Sequence, residues 1–103
     1  MLGHGAARMD EEDWLGLTVR ARDGRVVGAV VGAFTEGPLA GRLRVEGTYT
    51  PAGAARGPRE GIAVYAIPRR AVLRRQRESL LLDVTLTVAR GRWLMHVRQA
   101  NGP

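Results

Sequence analysis

Short alternating apolar runs, broken by turns that carry glycine or proline, predict an all-β domain. The expected form is a small antiparallel β-barrel or sandwich of about six strands with at most a short helical turn. Three observations carry this expectation. Leu80, Leu82, Val84, Leu86 and Val88 alternate with Ser79, Leu81, Asp83, Thr85 and Thr87, the two-residue period of a strand. Asp23-Gly24 and Arg90-Gly91 fall between such runs, where hairpins turn. The chain of 103 residues has room for one domain and not for two.

The elements follow in order. Residues 1–13 read as a tail that turns acidic at Asp10, Glu11, Glu12 and Asp13, and residues 14–99 form the single domain. Leu17, Val19 and Ala21 alternate with Thr18 and Arg20 as a first strand. The turn that follows has Gly24 at the position where positive φ is needed. Residues 26–34 return as a second strand with small or apolar residues on both faces, which predicts a covered or interfacial strand. A loop with Gly37-Pro38 leads to a third strand. Here Leu43, Val45, Gly47 and Tyr49 oppose Arg42, Arg44, Glu46 and Thr48. Residues 50–61, rich in Pro, Ala and Gly, form an excursion. Residues 62–67 are a fourth strand, stopped by Pro68, which cannot donate to a ladder. Residues 69–78 fit either one or two helical turns or a turn into the next strand. The fifth strand is 79–88, a hairpin turn follows at 89–92, and Trp93, Met95 and Val97 mark a sixth strand before a tail at 100–103.

Composition limits the chemistry. With no cysteine, disulfides, thiolate catalysis and cysteine-ligated metal sites are excluded. No apolar run approaches the ~20 residues of a membrane-spanning helix, so no transmembrane segment is expected. No secretory signal is visible, and a cytoplasmic location is the expectation. The net charge is +6, and every basic residue is arginine. That charge is uneven: residues 41–103 carry twelve arginines against four acids, while residues 1–40 carry four against six. This asymmetry favours an acidic partner for the C-terminal part, the alternative being a solvated arginine surface.

Two ordered segments carry a family resemblance. Gly16-Leu17-Thr18-Val19 followed by Asp23-Gly24-Arg25-Val26-Val27-Gly28 resembles the opening hairpin of the PRC-barrel family. Val64-Tyr65-Ala66-Ile67-Pro68 with Ala71-Val72 is similar to its strand ending in Ile or Val and Pro. The excursion at 50–61 is longer than that pattern requires, and the strand at Trp93 looks like an extension of it. The family includes the cytoplasmic domain of the reaction-centre H subunit and a ribosome-maturation factor. The resemblance implies a PRC-type barrel, contacts with protein partners or RNA-linked processes, and no shared catalytic motif.

No constellation for catalysis emerges, and an enzyme is not expected. His4 and His96 are the two histidines and have no metal-ligand spacing; Ser79 is the lone serine. Four consecutive acids at 10–13 do not converge on a cation in an extended chain. No metal or other cofactor is therefore expected. The candidate binding residues are Arg69, Arg70, Arg74, Arg75 and Arg77, whose guanidinium groups suit carboxylates and phosphates. Val26, Val30, Phe34, Leu81 and Leu94 are a candidate apolar interface, and with them a homodimer is expected. The function expected is a non-catalytic adaptor that binds a protein partner and self-associates. The alternative is an RNA- or ribosome-associated module using the 69–77 strip.

Overall fold

Among the described residues alternation does produce strands, but seven of them, in one mixed sheet that does not close into a barrel. The computed structural model describes residues 14–49 and 61–99. The expected tails at 1–13 and 100–103, the excursion at 50–60, His4 and the acidic run at 10–13 lie outside the described residues. The elements are β1 (Thr18–Arg20), β2 (Val26–Ala33), β3 (Leu43–Tyr49), β4 (Gly61–Ile67), β5 (Val72–Arg75), β6 (Ser79–Leu82), α1 (Leu86–Trp93) and β7 (Leu94–Gln99). Short 3-10 turns occupy Gly37–Leu39 and Arg69–Ala71. Strand order is β5-β6-β1-β2-β3-β4-β7.

The β1–β2 hairpin forms where the sequence places it. Gly24 turns it at φ 89°, and Gly24 N–H donates to Ala21 O at 2.9 Å. Two register shifts then settle the puzzle of a strand apolar on both faces. One falls opposite Val19/Arg20 and skips Val27; the other falls between Val30 and Gly32 and skips Val31. Each inserted residue changes which side chains point inward. Val27 and Val30 are consequently both in the core, while Val26 and Val31 face solvent. β2 and β3 also cross at very close range. A Cβ on Gly28 would collide with the Glu46 carbonyl, and one on Gly47 with the Val27 carbonyl, so only glycine fits at either position.

Three expectations need correction. The sheet is not wholly antiparallel, because β6 runs parallel to β1, with Val19 opposite Leu80. Residues 69–78 are neither purely helical nor a simple turn: a 3-10 turn leads into β5, which pairs antiparallel with β6. The fifth strand ends at Leu82, and the expected hairpin turn at 89–92 is instead part of α1. Its final strand, β7, pairs with β4 and not with residues 79–88.

The physical cause of the last change is local. Asp83 N–H donates to Ala71 O at 2.9 Å and Arg22 N–H to Val84 O at 2.7 Å, which turns the chain off the sheet. Thr85 then caps α1, its hydroxyl accepting from Val88 N–H at 3.3 Å. Leu86 and Ala89, three residues apart, share the inward face of a helix and are both buried. Helix propensity is poor here, with Thr87, Val88 and Gly91, so tertiary burial supplies what propensity does not.

The core lies between one face of the sheet and α1. Val19, Val30, Val45, Tyr65, Ile67, Leu80 and Leu82 fill it, with Leu86 and Ala89 from the helix. Each fully buried aliphatic side chain contributes about 1.5–3 kcal/mol relative to exposure. Trp14, Tyr49 and Trp93 pack at the margins.

Candidate functional site

The five arginines at 69–77 are neighbours in sequence but not in surroundings. Arg69 turns back toward the β2–β3 loop, where its Nε donates to Gly41 O at 3.0 Å and its guanidinium sits 5.5 Å from the Trp14 ring. Arg75 lies opposite Leu80 and is also engaged by a neighbour. Arg74 is opposite Leu81, which in turn is opposite Arg20, so two cations flank one leucine on the exposed face. Arg77 projects from the β5–β6 turn into a concavity of about 460 Å³ lined by Thr18, Arg20, Gln76, Glu78 and Ser79. Arg70 lies at a separate cleft, between the 3-10 turn and α1. β5 and the β5–β6 turn therefore display two exposed guanidiniums, Arg74 and Arg77, and β5 also exposes Leu73.

The candidate apolar interface is likewise divided. Val30 is 3% exposed and Leu94 packs against the core, so neither side chain lies on an open face. Phe34 is half-buried with the Arg44 guanidinium 5.9 Å from its ring, and Leu81 is half-buried beneath its two cationic neighbours. Val26 alone of the five is largely exposed, at 51%. Exposed apolar side chains instead include Leu73 on β5 and Met95 and Val97 on β7, the two edge strands.

A charged cluster that the sequence did not reveal crosses the back of the sheet. Arg98 on β7 grips Glu46 on β3 with two bonds, Nη2 to Oε1 at 3.0 Å and Nη1 to Oε2 at 3.3 Å. Arg44 Nε adds a third at 3.3 Å. Glu46 is in register with Val64 of the intervening β4, so the pair reaches over that strand. Val64 and Ala66 are buried on this face, outside the main core. The Arg98 hydrogen bonds, and then the positive charges of Arg98 and Arg44, hold the Glu46 carboxyl below the usual carboxylate range against the opposing effect of burial. Such a carboxylate is an anchor between strands. It is poorly suited to exchanging protons near neutral pH.

Among the described residues, no three His, Asp or Glu side chains are grouped as a metal site would require. His96 is exposed on β7. Asp83 faces Arg22 at 3.9 Å, both side chains being largely solvated. No helix among the described residues is long and apolar enough to cross a membrane. The chain matches no family model, no curated protein and no solved structure.

Proposed function

We propose that this chain is a non-catalytic binding module that docks an acidic protein partner against β5 and the β5–β6 turn. The observation that carries the reading is that Arg74 and Arg77 make no hydrogen bond or ion pair among the described residues, while many other arginines are engaged. Two free guanidinium groups on a strand and turn that also expose Leu73 suit a surface that pairs carboxylates around an apolar contact. A protein is favoured over RNA because stacking rings are absent there. Trp14, Phe34 and Tyr49 each already carry a guanidinium. The resemblance of residues 16–28 and 64–72 to PRC-barrel motifs agrees with an adaptor role.

Affinity capture from the native host, with and without nuclease, tests this reading. The wild-type chain is expected to retain a defined protein in both halves, and Arg74→Glu with Arg77→Glu to release it. Material that disappears with nuclease makes RNA the partner. Undiminished retention by the double variant moves the contact away from β5. Self-association is a second reading, supported by edge strand β7, where Met95 and Val97 are both exposed. A strictly monomeric mass by light scattering across micromolar concentrations removes it.

A further inference from the structure

The cleft between the 3-10 turn and α1 combines features that occur together nowhere else among the described residues. It has a volume of about 310 Å³, and its lining includes Arg70, Asp83, Val84, Arg92 and Trp93. Arg70 and Arg92 come from different elements, both are exposed, and neither has a hydrogen bond or ion pair among the described residues. Trp93 is half-buried and, unlike Trp14, Phe34 and Tyr49, has no guanidinium over its ring. Arg44, Arg69 and Arg90 lie over Phe34, Trp14 and Tyr49 respectively. Here two unpartnered guanidiniums and one uncovered indole share a single concave surface.

We propose that this cleft binds a small ring-bearing anion of the size of a nucleoside monophosphate. Its ring would lie on Trp93 and Val84, and its single phosphate between Arg70 and Arg92. The volume falls at the lower end of the range for small-ligand sites, about 300–1,000 Å³. An indole face gains from stacking with a planar ring, and paired guanidiniums match phosphate geometry. Asp83 narrows the choice further. Its carboxylate, facing Arg22 at 3.9 Å, repels a second anionic group while offering an acceptor to an amino or hydroxyl group on the ring. The site is separate from the proposed docking edge, since Arg74 and Arg77 do not line it.

Calorimetric titration of the full chain with adenosine 5′-monophosphate, ribose 5-phosphate and adenosine tests the assignment. The indole N–H resonance of Trp93 is followed in parallel. The nucleotide is expected to bind saturably and shift that resonance, and each fragment to bind about tenfold more weakly or worse. Arg70→Gln and Arg92→Gln change exposed side chains, so the fold should survive, with an unchanged thermal melt as the check. Each should weaken nucleotide binding about tenfold, the loss of one charge-assisted contact, while Arg25→Gln in the β1–β2 turn should not. Absence of saturable binding overturns the proposal. So does equal affinity for ribose 5-phosphate, which denies the stacking, or equal loss in all three variants, which reduces the effect to net charge. A single-stranded oligonucleotide that outcompetes the nucleotide would identify a strand's nucleotide as the source of the same chemistry. Partner capture at β5 is read separately, so either proposal can fail alone.

Discussion

Glu46 illustrates how one side chain can tie together strands that are not hydrogen-bonded to each other. Its carboxylate receives two bonds from Arg98 and one from Arg44, joining β3 to β7 across β4. The groups are partly solvated, with 20% of the Glu46 side chain exposed, so the whole arrangement is worth about 1 kcal/mol. Its pH dependence has a definite sign. The folded carboxyl ionises more readily than the unfolded one, so its contribution is complete above the ordinary value of 4.5. It is lost as pH falls through the lower folded value. Urea melts of wild type and Glu46→Gln should therefore differ at pH 7 and converge below pH 4.5 as acid neutralises the wild-type carboxylate. An equal difference at every pH would mean that Glu46 acts through packing and not through charge.

At the scale of elements, α1 shows how little intrinsic preference is needed when burial is available. Leu86 and Ala89 are drawn into the core, and Thr85 satisfies a backbone donor that the first turn would otherwise leave open. Thr85→Ala should cost about 1 kcal/mol in denaturant melts, whereas Thr85→Ser should cost little, because serine keeps the accepting oxygen. Equal losses from both would make the methyl group the important part. The sequence carried a readable sign of this helix, a threonine three residues ahead of Val88. Strand-like alternation masked it, because the two-residue period of β6 runs on by chance through Val84 to Leu86, the first residue of the helix. Elsewhere the elements were legible. Asp23-Gly24 marked the first hairpin, Pro68 marked the end of β4, and the clean alternation of Leu43 and Val45 marked the inward face of β3.

Across the whole molecule, one core is shared by the sheet and the helix. Leu86 packs in the same cluster as Val45, Tyr65 and Leu80, and Arg90 on α1 donates to the Tyr65 hydroxyl at 3.4 Å. Helix and sheet should accordingly unfold together. Tryptophan fluorescence of a Trp14→Phe variant, which then reports on Trp93 at the end of α1, and far-ultraviolet circular dichroism should give coincident transitions. Leu86→Ala should shift both curves by the same amount, about 2–5 kcal/mol. Separate midpoints would show α1 to be an independently melting appendage. The two open edges differ in how they meet solvent. β5 is four residues long, carries Arg74 and Arg75 and is irregular next to Leu73, features that discourage unwanted pairing. β7 is longer and exposes Met95 and Val97.

The sequence by itself determined that strands dominate, where most of them run, and that arginine supplies the positive charge. These follow from side-chain period, turn chemistry and composition, which act over a few residues. Tertiary structure alone decided that β6 lies parallel beside β1, that the sheet stays open, and that β7 pairs with β4. Three- and four-residue strands such as β1 and β6 present the same alternation in either direction, so only the fit of the shared core can choose between them. The candidate site followed the same division. The guanidiniums were visible in the run from Arg69 to Arg77, but which of them would be engaged and which left free was not. Arg69 bends back to Gly41 and Trp14, twenty-eight and fifty-five positions away in the chain, whereas Arg70 meets Arg92 and Trp93 across a cleft. Such contacts join residues far apart in sequence, and their geometry exists only once the sheet and α1 have packed.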